Sequence, residues 1–74
     1  MDRENLVQVS KERFYKVMKP MLFQIDVHRE GYRPPVNLVY ENKTTGEIEA
    51  MIEQLVTSFN RIHTRYFINK KHAK

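Results

Sequence analysis

The chain has 74 residues, a net charge of +4 at pH 7 and no cysteine. A chain this short forms one domain at most, and it buries only about 60% of the surface that its unfolded form exposes. Disulfides are excluded, and the three histidines have no clustered metal-binding partners, so self-association is the remaining way to enlarge the core. We therefore expect a single small domain over residues 1–74, and we favour a homodimer over a strict monomer.

The composition also limits the location and the partners of the protein. No apolar run approaches the roughly 18 residues that a membrane span needs. The first residues lack the apolar region of a signal peptide. We expect a soluble, cytoplasmic protein that contacts no membrane. Its positive charge favours an anionic partner, which is either nucleic acid or an acidic protein surface.

The first predicted element is a helix from about Arg3 to Lys19, which Pro20 ends. Its apolar positions recur on one helical face, and Asp2 is placed to cap its start. The pattern weakens before Ser10, which leaves open a shorter helix that Ser10 caps. In that shorter helix four cations face water: Lys11, Arg13, Lys16 and Lys19.

Two strands are predicted next, because the apolar period changes to two. The apolar positions of the first strand are Phe23, Ile25 and Val27, and those of the second are Val36, Leu38 and Tyr40. A loop with one glycine and paired prolines separates them at 29–35. Together they predict an antiparallel hairpin that lays its apolar face on the helices.

The strongest periodic pattern predicts a long C-terminal helix. Apolar residues recur at steps of four and three: Ile48, Ile52, Leu55, Phe59, Ile62 and Tyr66. Acids come first along this segment and cations last, the order that a helix dipole favours. Thr44 and Glu47 match a capping box at its start, although 42–47 alternatively forms a tight turn into a third strand. We expect the helix to reach about Ile68, with 64–69 as a short edge strand in the alternative.

The predicted fold is therefore α+β, with a helix, an antiparallel β-hairpin and a long C-terminal helix in the order α-β-β-α. A helix over 46–68 is about 34 Å long at ~1.5 Å per residue, so its basic end projects beyond the domain. Residues 70–74 are expected to form a disordered basic tail. On the projecting part, four residues are expected to contact a second subunit: Phe59, Ile62, Tyr66 and Phe67. Strand addition at the open hairpin edges is a further possible contact.

No catalytic motif is present. The chain lacks a nucleophile elbow, a phosphate-binding loop and a His-Glu-x-x-His metal motif. Glu49 and Glu53 lie one predicted helical turn apart, and we interpret them as solvated acids near a helix start. Asp26 and His28 share a strand face without a nucleophile nearby, which indicates a hydrated surface pair. We expect no enzyme activity, no cofactor and no metal.

Basic residues indicate a nucleic-acid-binding surface made of two segments. The C-terminal helix end and the tail supply donors for phosphate oxygens: Arg61, Arg65, Lys70 and Lys71. The loop supplies Arg29, Tyr32 and Arg33, a combination that suits base stacking or a protein interface. Two simpler alternatives remain open: a solvated helix end with no partner, and a Tyr32 that folds back over the core.

The predicted function is that of a small non-enzymatic regulatory protein that contacts nucleic acid through the C-terminal helix end and the 29–35 loop. One alternative is a factor that docks on an acidic face of a larger protein, such as a polymerase or a defence enzyme, and inhibits or modulates it. Another is a small assembly subunit of a larger particle. No residue motif identifies a family.

Overall fold

The computed structural model describes residues 3–73, and its main feature is a five-stranded antiparallel sheet. The strands are β1 (Leu6–Val9), β2 (Ile25–Glu30), β3 (Val36–Asn42), β4 (Ile48–Val56) and β5 (Ile62–Asn69). One α-helix, α1 (Lys11–Met18), is accompanied by 3-10 helices at Arg3–Asn5, Lys19–Gln24 and Lys70–His72. The strand order is β1-β5-β4-β3-β2, so α1 and the 3-10 helix after it carry the chain from one sheet edge to the other. None of the helices within residues 3–73 has the length and apolar character that crossing a membrane requires.

The predicted long C-terminal helix is wrong, and the α-β-β-α order with it. The segment folds instead into β4 and β5, joined by a tight turn in which Asn60 has φ 57°. Asparagine tolerates this left-handed conformation better than most residues. The helical spacing is misleading because Ile48–Ile52 of β4 are all buried, so apolar residues do not alternate with polar ones there. Residues 64–69 are a strand, as the alternative proposed, but β5 lies inside the sheet.

The charge order along this hairpin reflects pairing between strands. Glu53 lies directly opposite Arg65 in the β4–β5 register. Beyond the strand end, Lys71 makes ion pairs with Glu47 and Glu49. The acids on and before β4 therefore face the cations on and after β5. A hairpin with this pairing has the same order of charges along the chain as a helix that complements its dipole.

The turn before β4 also differs from the predicted helix start. Asn42 Oδ1 accepts hydrogen bonds from Thr44 N at 2.8 Å and Thr45 N at 3.2 Å. Gly46 N then donates to Asn42 O at 2.9 Å. Such an asparagine-centred turn is a common way to reverse the chain. The alternative of a tight turn into a third strand is therefore correct, and the capping box is not formed.

The first helix is shorter than its main prediction and matches the alternative. Ser10 Oγ accepts a hydrogen bond from Arg13 N at 3.2 Å and caps α1. The residues before Ser10 form a 3-10 helix and β1, which pairs with β5. The other predicted cap, Asp2, lies outside the described residues.

The predicted hairpin is confirmed, and the main core lies between its helix-facing side and α1. β2 and β3 pair antiparallel, with Ile25 opposite Asn42. Phe14 of α1 is fully buried, and its ring centroid lies 5.3 Å from that of Tyr40 and 5.4 Å from that of Tyr66. The other buried members of this core are Met18, Ile25, Ala50, Ile52 and Ile68.

A second, smaller apolar cluster lies on the sheet face opposite α1. It consists of Val39, Ile48 and Met51, with Leu6 and Phe67 packed beside them. Arg3 precedes β1 at one edge of the sheet, yet it forms an ion pair with Glu30 of β2 at the other edge. This ion pair links the segment before β1 to the strand at the opposite edge of the sheet.

Candidate nucleic-acid interface

Two loops lie at the same end of the sheet. Residues 31–35 join β2 to β3, and residues 57–61 join β4 to β5. Val36 at the start of β3 lies opposite Gln54 near the end of the neighbouring strand β4, so both loops leave the sheet on this side. We call these two loops, with the strand residues that lead into them, the loop end.

The structure divides the seven predicted nucleic-acid-binding residues between two ends of the sheet. Five of them lie in or beside the loop end: Arg29, Tyr32, Arg33, Arg61 and Arg65. Lys70 and Lys71 follow the opposite end of β5. The eight residues of β5 span about 26 Å at ~3.3 Å per residue. The two groups therefore do not form one surface.

The 31–35 loop has a braced backbone and a projecting tyrosine. Arg29 Nε donates to Gly31 O at 3.1 Å, and Arg29 Nη2 donates to Tyr32 O at 3.2 Å. Gly31 has φ +97°, and a Cβ there would lie 2.9 Å from Pro35 O, so this position requires glycine. The Tyr32 residue is 96% exposed. Arg29 therefore supports the loop, and Tyr32 does not fold over the core.

The 57–61 loop is a tight turn that presents a phenylalanine. Asn60 N donates to Thr57 O at 3.0 Å and closes the turn. Phe59 at its tip is 82% exposed. Behind the turn, Val56 and Ile62 lie opposite each other on β4 and β5, and both are about half-exposed. The turn thus displays an exposed aromatic residue next to a half-exposed aliphatic pair.

Two arginines at the loop end carry charge that no side chain among residues 3–73 neutralises. Arg33 and Arg61 are exposed and have no ion-pair partner within residues 3–73. Arg65 differs, because its Nη1 lies 3.7 Å from Glu53 Oε1. The loop end therefore combines two exposed aromatic rings with two cations that are open to a ligand.

At the other end of the sheet, Lys71 forms ion pairs with two carboxylates. Its Nζ contacts Glu47 and lies 2.9 Å from Glu49 Oε1. Hydrogen bonds to Glu47 and Glu49 raise the pKa of Lys71. Of the residues expected to form a disordered tail, Lys70–His72 form a 3-10 helix, and Ala73 O accepts a hydrogen bond from Arg13 Nη2 of α1 at 3.0 Å. Lys74 lies outside the described residues. Lys71 is thus less available to a phosphate than Arg33 or Arg61.

The four residues predicted to form a subunit interface are not grouped by the fold. The helix face on which they were predicted to lie together is not formed, because Ile48–Val56 and Ile62–Asn69 are strands. Phe59 and Ile62 belong to the loop end. Tyr66 packs against Phe14 in the main core, whereas Phe67, its neighbour in β5, packs with the cluster on the opposite face.

Sequence reasoning missed the aliphatic pair of Val56 and Ile62 and the proximity of the two loops. A local signal for the pair was present, because Thr57-Ser58-Phe59-Asn60 lies between segments rich in β-branched residues, as in a hairpin. The proximity of the loops depends on β3 lying beside β4, which no local pattern specifies. Sequence reasoning also left three exposed lysines out of the candidate site: Lys11 and Lys16 of α1, and Lys19 of the 3-10 helix that follows.

The described residues contain no group of side chains that identifies a different kind of functional site, such as a metal site. Within residues 3–73 no three His, Asp or Glu side chains are grouped so that they could hold a metal ion. An open depression beside α1 is lined by Ser10, Glu12, Arg13, Lys16, Val17 and His72. The chain matches no protein-family model, no curated protein and no solved structure.

Proposed function

We propose that this protein is a non-enzymatic binding module that holds single-stranded nucleic acid at the loop end. The observation that carries the proposal is that each of two neighbouring loops contains an exposed aromatic residue followed closely by an arginine. Tyr32 precedes Arg33 in the first loop, and Phe59 lies two residues before Arg61 in the second. Proteins that bind single strands stack bases on aromatic rings and neutralise the adjacent phosphates with cations. A duplex offers little to such rings, because its bases are already stacked on one another.

The geometry of both loops supports this proposal. The first loop is braced by Arg29, and the second is closed by the hydrogen bond between Asn60 and Thr57. A loop that already has a defined backbone loses less conformational entropy when it binds. The proposal therefore assigns stacking to Tyr32 and Phe59, phosphate contacts to Arg33 and Arg61, and no contact to Lys71.

Binding can be tested by fluorescence anisotropy with a short labelled oligothymidine and a matched duplex. We expect the single strand to bind more tightly at low salt. For two phosphate contacts, the logarithm of the affinity should fall with the logarithm of salt concentration with a slope of about −1.4. Tyr32→Ala and Phe59→Ala should each weaken binding about 5- to 150-fold, the range measured for one stacked base.

Matched lysine substitutions control for a general effect of charge. Arg33→Ala and Arg61→Ala should each weaken binding and reduce the salt slope by about 0.7. Lys16→Ala and Lys70→Ala remove the same charge from exposed sites outside the loop end and should change neither quantity. Equal losses in all four variants would contradict the proposed site, and no binding of either oligonucleotide at low salt would contradict the function.

The aliphatic pair behind the 57–61 turn favours a second function, docking on an acidic face of a larger protein. Val56 and Ile62 contribute little to stacking or to phosphate contacts, whereas exposed apolar side chains beside arginines are typical of protein interfaces. The variant Val56→Thr with Ile62→Thr separates the two functions. If the loop end serves nucleic acid, this variant should bind oligothymidine as tightly as the unmodified protein.

A further inference from the structure

The sheet has an open edge at β2. β2 pairs with β3 through six consecutive residues without a bulge. No strand within residues 3–73 pairs with its other side. Natural edge strands are commonly protected by charged side chains, a proline, a bulge or shortness, and of these β2 has only charged side chains. β1, at the other edge, has only four residues, but β2 has six and contains no proline.

The pairing of β2 with β3 shows which backbone groups face outward. Just before β2, Lys43 N donates to Gln24 O at 2.8 Å. Hydrogen-bonded and non-bonded pairs alternate along an antiparallel ladder, so the even-numbered residues of β2 bond to β3. Three residues therefore direct their backbone groups away from the sheet: Ile25, Val27 and Arg29. The Ile25 N–H is used by Leu22 O, which leaves the N–H groups of Val27 and Arg29 available for another strand.

Exposed apolar side chains adjoin this edge. Val27 is 51% exposed in the middle of β2. Phe23, in the 3-10 helix that leads into β2, is 75% exposed, and Leu22 before it is about half-exposed. Open backbone groups beside apolar side chains are the combination that strand addition uses, because it satisfies the former and buries the latter.

We propose that a second copy of this chain pairs with the edge, β2 antiparallel to β2, and joins the two sheets into one. A twofold axis perpendicular to the sheet keeps the helix-covered faces on the same side, so odd-numbered residues oppose odd-numbered ones. The register that uses the most outward groups places Val27 opposite Val27 of the second copy. In this register Ile25 lies opposite Arg29 of the second copy.

Complementarity of the polar side chains favours a second copy as the occupant and selects the same register. With the two Val27 residues opposed, Asp26 lies opposite His28 of the second copy, so each carboxylate faces an imidazole. A shift by one pair in either direction would place Asp26 opposite Glu30 or Asp26 of the second copy, and like charges directly opposite destabilise a sheet. Within one chain Asp26 lies directly opposite Glu41 on β3. Lys43 Nζ lies 4.0 Å from Asp26, and His28 Nε2 lies 2.9 Å from Glu41, so each acid has a polar neighbour of another kind. The register with the two Val27 residues opposed therefore places an imidazole that can form a hydrogen bond, rather than a further carboxylate, beside each Asp26.

This assembly goes beyond the proposed binding function and can be tested without nucleic acid. Sedimentation equilibrium should give the mass of two chains at high protein concentration. Hydrogen exchange by NMR under the same conditions should show slow exchange of the Val27 and Arg29 amides, although both belong to an edge strand. Fast exchange of these amides together with the mass of one chain would overturn the proposal.

Two substitutions at one position identify the surface. Val27→Pro removes an outward N–H and leaves the β2–β3 hydrogen bonds in place, so it should give the mass of one chain. Val27→Thr keeps the N–H and the branched shape, and it should retain the mass of two chains. If Val27→Pro retains that mass, the chains associate through another surface and the proposal is wrong. If this variant does not fold, exchange of the Val27 amide in the unmodified protein decides the question.

Discussion

The position of the Glu49 side chain depends on an irregularity of the sheet, a β-bulge in β4. The β3–β4 register places Tyr40 opposite Ala50 and Glu41 opposite Ile48, so Glu49 is the extra residue of a bulge. Its side chain is only 5% exposed. Such a burial is unfavourable unless hydrogen bonds replace the lost water. Three donors supply them: Lys71, Asn42 and His72.

This arrangement predicts a stability that depends on pH. Desolvation raises the pKa of Glu49, but hydrogen bonds from Lys71, Asn42 and His72 outweigh it, so the folded-state pKa lies below the ordinary value of 4.5. A lowered folded-state pKa stabilises the fold above the unfolded value, and this contribution is lost as pH falls through the folded value. In urea titrations we expect the free energy of unfolding to fall below about pH 5.

The variant Glu49→Gln isolates this contribution. It should be about 1–3 kcal/mol less stable than the unmodified protein at pH 7, because it removes charge-assisted hydrogen bonds at a buried site. Its stability should also change less between pH 7 and pH 3. Glu4→Gln removes an exposed acid and should change the stability at pH 7 by less than about 0.5 kcal/mol. Parallel profiles for Glu49→Gln and the unmodified protein would contradict the assigned role.

At the scale of elements, short-range patterns were the predictable part of the fold. The β2–β3 hairpin follows from alternation and from a loop with glycine and prolines, and the Ser10 cap follows from side-chain chemistry within one turn. β4 could not be recognised by alternation, because both of its faces are buried along Ile48–Ile52. β1 is a strand because it pairs with β5, far along the chain, and local propensity does not contain that information.

The same distinction applies to the candidate site. Tyr32 and Arg33 were identifiable because one loop contains both, with prolines beside them. Phe59 and Arg61 were identified on a helix that does not exist, so their position beside the first loop was not predicted. Placing the two loops together requires the order of the strands, which follows from packing of the whole sheet.

The pairing of Glu53 with Arg65 gives a direct test of the hairpin. A double-mutant cycle with Glu53→Gln and Arg65→Gln should give a favourable coupling of about 0.2–1 kcal/mol in urea unfolding, as for opposite charges across strands. On a continuous helix these residues would lie about 18 Å apart, and they would not couple. Glu53→Gln with Arg61→Gln serves as the control and should be additive. Equal coupling in both cycles would argue against the observed register.

At the scale of the whole molecule, stability depends on the packing of α1 against one face of the sheet. Phe14 is at the centre of this contact, because its ring meets Tyr40 of β3 and Tyr66 of β5. A domain of this size has a total stability of only about 5–15 kcal/mol. Losing the Phe14 contacts should therefore affect every element at once.

The variant Phe14→Ala should lose about 3–5 kcal/mol, the usual result of removing a buried aromatic side chain. We expect thermal unfolding followed by circular dichroism to show a large fall in the midpoint, or a chain that is unfolded at 25 °C. Phe14→Leu keeps most of the apolar volume and should remain folded. A loss below about 1 kcal/mol in Phe14→Ala would show that α1 is not essential to the core.

The pairing of β1 with β5 also has a kinetic consequence. It joins Leu6 to Asn69, so contacts between distant parts of the sequence are needed to complete the sheet. Domains dominated by such distant contacts refold in milliseconds to seconds, more slowly than helical bundles of similar size. During synthesis β1 leaves the ribosome first and has no partner until β5 has followed. Until then, the sheet has β4 as its edge, with an apolar surface exposed where β5 will lie.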